Sequence, residues 1–336
     1  VPQNHFRSRS RRHFLHRAFC LAAGAATATM ALHSQAADAP LRWVVPYPAG
    51  GAADQISRIV AHDAGQASGQ PIVIENKGGA AGMIAAETVL RAPADGQTFF
   101  VGSNAPLVIN SAIYAKMSYD PAKDFVPVAG LGKAPLLLVT RKDLGVQDAK
   151  GLIARAQQAQ KEGKTLTMGS ASSGNITHLA GEFASDRMGF KVTHVPFAGS
   201  APAITSMMGG NVDIMFDALP SSMQQAISGR IVPLAVLDNQ RFPQIPNVPT
   251  LAELGFAGTE ASAWFGLVAR QGTPQAAIDR MNQAVNQSLA KPDVQEKLRR
   301  IGAQPIAGSA TEWGQFITAE RERWIPVAKR LDIKAE

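Results

Sequence analysis

One pattern recurs along the chain and restricts its fold more than any other. A short apolar run ends in a loop of Gly, Ser, Ala or Asn, and a helical period follows. The first copy is Trp43-Val44-Val45-Pro46-Tyr47-Pro48-Ala49-Gly50-Gly51-Ala52-Ala53-Asp54. Its apolar residues read as a buried strand, the two prolines end it, and Ile56, Ile59 and Val60 mark the next helix at i, i+3, i+4. Gly50 and Gly51 lack a β-carbon, so the backbone there can take positive φ and come close to a ligand. The helix points its unpaired N–H groups back at the turn, which suits an anion such as a carboxylate. A plain strand-to-helix connection would use the same residues; the repetition favours a site.

The second copy is Pro71-Ile72-Val73-Ile74-Glu75-Asn76-Lys77, then Gly78-Gly79-Ala80-Ala81-Gly82 and a helix with Met83, Ala86 and Leu90 on one face. In the third, Thr98-Phe99-Phe100-Val101-Gly102 ends in Ser103-Asn104. Phe125–Val128 and Pro135–Val139 read as two further strands. A second series opens with Thr165–Met168, the loop Gly169-Ser170-Ala171-Ser172-Ser173-Gly174 and a helix marked by Ile176, Leu179, Ala180, Phe183 and Ala184. Lys191–Phe197 closes on Ala198-Gly199-Ser200, Val212–Phe216 leads to Asp217, and Ile231–Val236 is one more strand. The chain returns with the strand Trp264–Ala269, Thr273-Pro274 as N-cap and first helical position, and a last helix with a Ser309/Glu312 capping box. Trp313, Phe316, Ile317 and Trp324 form that helix's apolar face. Strands alternating with helices imply parallel pairing, with ligands outside the carboxyl ends of the strands. Two such series predict two α/β lobes: residues 37–139 with 262–336, and residues 140–261. Crossing strands would let them close on a ligand like a hinge.

The formal charge of +7 gives a misleading impression of a basic protein. Residues 1–36 carry five arginines and no acid, leaving 28 basic against 26 acidic residues beyond them. That balance argues against a nucleic-acid partner. The same segment reads as an export leader: Ser10-Arg11-Arg12-His13-Phe14-Leu15 has the twin-arginine pattern, and Ala18–Leu32 is an Ala-rich apolar run. Ser34-Gln35-Ala36 and Ala37-Asp38-Ala39 offer cleavage points. The single cysteine, Cys20, lies in this leader, so the mature chain has no disulfide.

No reactive constellation stands out. Ser172 and His178 could make a hydrolase pair, but the loop lacks the first Gly of a nucleophile elbow. His62 and His194 are isolated in sequence, which argues against a metal site. Gly78–Gly82 has neither the Lys-Ser/Thr of a P-loop nor a dinucleotide spacing, so no cofactor is expected. Asp54 reads as a first-turn acid, and Asp217, ending an apolar strand, as a candidate to bond a ligand amine or hydroxyl. Apart from Lys77 the loops contain no Lys or Arg. Backbone N–H groups, hydroxyls and water would therefore hold a small carboxylate better than a polyphosphate.

Tyr47–Asp54, Glu75–Gly82, Gly199-Ser200-Ala201-Pro202-Ala203 and Val212–Asp217 together resemble the Bug receptors, the periplasmic solute-binding proteins of tripartite tricarboxylate transporters. Pro246–Thr250 with Glu253, and Ala263-Trp264-Phe265-Gly266, are similar to that family too. The resemblance implies a two-lobe, type II-like periplasmic-binding (Venus-flytrap) fold, each lobe a mostly parallel sheet flanked by helices, without catalytic activity. It implies a monomer that takes a small carboxylate in the periplasm and delivers it to a large and a small integral membrane subunit. The ligand would meet Tyr47, Ala49, Gly50, Gly51, Gly79, Ala80, Ala81 and Asn104 on one lobe. Ser170, Ser172, Thr177, Phe197, Ala198, Gly199 and Asp217 would face it from the other.

Overall fold

The computed structural model describes residues 39–335; the leader motifs and Cys20 lie outside them. The first lobe opens with three strands, β1 (Leu41–Val45), β2 (Ile72–Asn76) and β3 (Thr98–Ser103). They pair in parallel with β1 in the middle. Helices α1 (Ala52–Ser68) and α2 (Met83–Arg91) make the crossovers. Trp43, Val44 and Val45 are fully buried, as a continuous apolar run in a sheet covered on both faces requires.

The two strands expected at 125–128 and 135–139 are one, β4 (Phe125–Arg141). The sequence looks interrupted because Gly130 and Gly132 stand between the apolar runs, but these glycines mark close packing rather than a turn. A Cβ on Gly130 would lie 2.4 Å from Ile306 Cγ2. Register shifts near Pro127 and Gly130 absorb the irregularity.

Past β4 come α3 (Ala149–Lys161), β5 (Leu166–Ser170), α4 (Ile176–Arg187), β6 (Val192–Pro196), α5 (Ser200–Met208), β7 (Ile214–Ala218), α6 (Leu219–Ile227) and β8 (Ile231–Val236). β5 pairs in parallel with β6 and β7. The chain then returns through β9 (Ser262–Arg270), α7 (Gln275–Ala290), α8 (Pro292–Arg300), β10 (Gln304–Pro305) and α9 (Ala310–Arg330). Pro274 sits at the N-cap of α7, one place earlier than its spacing suggested. The capping box at Ser309 and Glu312 is present, and Trp313 and Trp324 are buried beneath it.

β4 joins the halves. Through Pro135 it pairs antiparallel with β9; from Leu136 onward it pairs with β7 and β8. Leu136 donates to Ala261 O, Leu237 donates to Leu136 O, and Ala261 donates to Leu237 O, so the crossing segments are bonded to one another. The result is two α/β lobes sharing one strand. Among the described residues, no helix is long and apolar enough to cross a membrane.

Candidate ligand cleft

Tyr47 is held where β1 meets its loop. Its carbonyl accepts from Asn76 Nδ2 at 2.9 Å, and Asn76 is in turn bonded by Arg58. Asp54 ties the glycine turn, accepting Gly50 N–H at 3.0 Å and Arg58 Nε at 2.9 Å. Burial works to raise its pKa, but the Arg58 and Gly50 hydrogen bonds outweigh that and hold it below the usual carboxylate range. Asp54 is thus a brace of the loop, as its first-turn position suggested.

A narrow cleft lies between the lobes. Tyr47, Gly51, Ser103 and Asn104 line it from one side, and Asn175, Thr177, Gly199 and Ser200 from the other. Four helices begin at its wall. α1 brings Ala52 and Ala53, α4 brings Ile176 and Thr177, α5 brings Ser200 and Ala201, and Ala218 caps α6. Among the described residues, no Lys, Arg, His, Asp or Glu is on this wall. Its positive potential comes from backbone N–H groups alone, and its hydrogen-bonding side chains are hydroxyls and amides.

The lobes touch across the cleft. Asn175 Nδ2 donates to Tyr47 Oη at 2.8 Å, and Tyr47 Oη also meets Ser103 Oγ at 3.2 Å. Burial pushes the Tyr47 phenol up to about 12, so it is a neutral donor and acceptor. Ala52 N–H donates to Ser221 Oγ at 3.1 Å, and Gln55 Nε2 to Pro220 O at 2.8 Å. These contacts describe a closed arrangement.

Of the residues expected at the site, Tyr47, Gly51, Asn104, Thr177 and Gly199 line the cleft. Ala49, Gly50, Ala80 and Ala198 are exposed, Gly79 and Phe197 half-buried and Ala81 buried, all outside its lining. Ala80 and Ala81 both take positive φ (46° and 49°), a strained backbone that Asn110 Nδ2 secures through Ala81 O. Asp217 is fully buried one hydrogen bond behind the wall, its Oδ1 accepting the Ser200 hydroxyl at 2.5 Å.

Ser170 and Ser172 belong to the support of the 170–175 loop. Ser170 Oγ donates to Ser172 O and accepts from His194 Nε2 at 2.6 Å, which fixes that imidazole's tautomer. His194 is therefore not isolated: its ring stacks on His178 with centroids 3.5 Å apart. His178 Nδ1 accepts Gly174 N–H at 3.1 Å. Burial pushes His178 down to about 3, helped by the neighbouring His194, and burial alone pushes His194 down to about 4. Both rings are neutral at pH 7. Ser172 and His178 do not make the pair that a hydrolase needs: Ser172 Oγ has no hydrogen-bond partner among the described residues, and His178 Nδ1 is spent on the backbone.

Ser103, Asn175 and Ser200 are the polar cleft residues absent from the expected site. Asn175 had a legible signal, a cap residue just before a helical period; its Oδ1 accepts Thr177 N–H at 3.1 Å. Its second role, clasping Tyr47, depends on the other lobe.

A two-lobed fold with an uncharged, amide-lined cleft defines a solute-binding receptor. The tripartite tricarboxylate transporter receptor family model matches residues 56–333. BugT of Bordetella pertussis is 32% identical over 296 residues, covering 88% of this chain and 90% of BugT. The structure of R. palustris Rpa4515 with adipate aligns at a TM-score of 0.84 and 37% identity, covering 88% of this chain and 98% of that one. MatC from Rhodopseudomonas palustris with bound malate aligns at 0.80 and 31%, covering 86% and 98%. The chain belongs to the tripartite tricarboxylate transporter receptor family, whose members are periplasmic receptors and not enzymes. The Bug-type resemblance and the two-lobe fold are borne out.

Proposed function

We propose that this receptor captures a small organic carboxylate between its lobes and delivers it to the large and small membrane subunits of a tripartite transporter. The observation that carries the reading is the meeting of four helix N-termini on a cleft without a charged side chain. Such a wall favours a carboxylate over a polyphosphate. Rpa4515 with adipate and MatC with malate support the same ligand class. The ligand contacts are Tyr47, Gly51, Asn104, Thr177 and Gly199 with Asn175 and Ser200. The loops at Ala49–Gly50, Gly79–Ala81 and Phe197–Ala198 close the rim, while Ser170, Ser172 and Asp217 hold the wall from behind. The lobes comprise residues 37–139 with 262–336 and residues 140–261, turning about the β4 crossing. The protein acts as a monomer in the periplasm, exported through the twin-arginine motif of residues 10–15.

Native mass spectrometry of the chain from Ala37, followed by thermal shifts with adipate, malate, citrate, aspartate and benzoate, tests this. A bound small acid with a matching rise in Tm is expected. No bound mass and no shift with any of the acids would overturn it.

A further inference from the structure

Asp217 is wholly buried, and one of its oxygens, Oδ2, has no hydrogen-bond partner among the described residues. Oδ1 takes the Ser200 hydroxyl, and the Ala218 N–H and Ser221 hydroxyl also favour the charged form. Among the described residues, no cation balances it. Its partner across the sheet is Leu137 of β4, and α5 and α6 present serines. The first turn of α1, on the facing lobe, carries Asp54, which is committed to Arg58 and Gly50. A buried carboxylate without a cation is costly, and protonation relieves that cost.

Both serines connect this carboxyl to the ligand site. Ser200 lines the cleft, and Ser221 Oγ accepts Ala52 N–H from the opposite lobe. A serine hydroxyl has one proton to give. While Asp217 is ionised, Ser200 spends that proton on Oδ1 and offers the cleft only lone pairs, which repel a carboxylate. Once a proton from solvent has added to Asp217, the acid can donate to Ser200 Oγ, and the serine proton is free to turn toward the ligand.

We propose that capture of a carboxylate in this cleft is coupled to uptake of one proton by Asp217, a positioning residue acting through Ser200. The coupling rests on the carboxylate reading of the cleft. Burial pushes Asp217 up to about 7, so the linkage falls in an accessible range.

Malate and adipate serve as probes in isothermal titration from pH 6 to 8, in two buffers of different ionisation enthalpy. The apparent Kd should weaken about tenfold over this range, following the fraction of protonated receptor. Net proton uptake should approach one at the alkaline end. Asp217→Asn has an amide that donates to Ser200 as the protonated acid would, so its Kd should not move with pH and its proton uptake should vanish. A flat wild-type profile, or an unchanged slope in Asp217→Asn, would overturn the proposal. Difference infrared spectra of wild type minus Asp217→Asn, without ligand, provide an independent reading. A protonated-carboxyl band should be present at pH 6 and lost at pH 9; its absence at pH 6 overturns the proposal whether or not an acid binds. A titrating band with no binding of either acid at any pH would overturn the coupling by removing the carboxylate reading, while leaving the protonation of Asp217 intact.

Discussion

Tyr47 shows how much one side chain can do between two lobes. Its hydroxyl accepts from Asn175 at 2.8 Å and meets Ser103 at 3.2 Å, so Tyr47→Phe leaves a buried amide donor without its partner in the closed form. The open form loses little, because water reaches the same groups. Malate or adipate affinity should therefore weaken by roughly tenfold, the equivalent of about 1–2 kcal/mol. The free variant should keep its Tm, and an affinity within twofold of wild type by calorimetry would refute the latch. The stacked imidazoles carry a different consequence. Both have folded pKa values depressed below 6.5, to about 3 for His178 and about 4 for His194. The unfolded chain thus takes up protons first on acidification. The stability that the neutral pair contributes is complete above about pH 6.5 and is lost as pH falls toward 4. Comparison with His178→Asn isolates this effect: the Tm gap between wild type and variant should be widest above pH 6.5 and narrow at pH 5. A gap constant with pH would mean that the pair is not buried neutral. None of this pairing could be read from the chain, since sixteen positions separate the two histidines and only parallel strands and a crossing helix bring their rings together.

Elements whose signals are local were legible; those defined by a partner were not. The capping box at the start of α9 needs only Ser309 and Glu312, and it is present as read. Ser309→Ala should cost about 1 kcal/mol in urea unfolding, and a loss below a few tenths would show the box to be idle. The glycine-ended strands β1, β2 and β3 were visible because apolar runs and turn residues are contiguous. β4 was not, because glycines that permit packing look the same in sequence as glycines that permit turns. Gly266 of β9 is a similar case: a Cβ there would lie 2.3 Å from Trp313 Cζ2 and 2.7 Å from Ala129 O. Both neighbours are fixed, one in the core and one in backbone, so Gly266→Ala should destabilise by about 1–3 kcal/mol. Chemical denaturation with an unchanged slope would report it, and an unaffected midpoint would mean that β9 and α9 part more easily than their packing indicates. The cleft itself was half legible. Its glycine and serine loops were found, but Asn175 and Ser200 face it only because the second lobe folds over the first.

At the level of the whole molecule, closure is a matter of fit more than of strong bonds. Across the cleft the described polar contacts are Tyr47 with Asn175, Ala52 with Ser221, and Gln55 with Pro220; outside it Gln244 donates to Arg299 O and Arg323 to Glu260 O. Each contributes about 1 kcal/mol net, so a ligand's differential contacts are large enough to tip the balance between open and closed forms. What the closed form demands instead is small residues where the lobes meet. A Cβ on Gly174 would come within 1.8 Å of Ile113 Cδ1 and 3.2 Å of its Cγ1, and Ile113 is buried. Gly174 has φ +70, so alanine adds a local strain of about 1 kcal/mol in either form. The collision with Ile113 exists only when the lobes meet. Gly174→Ala should therefore fold with a modest fall in Tm, yet bind malate or adipate at least tenfold more weakly. Small-angle scattering at saturating ligand should show wild type contracting and the variant staying wider. Full contraction of Gly174→Ala at wild-type affinity would mean that the lobes meet elsewhere. A wide profile of wild type under saturation would mean that binding does not draw the lobes together.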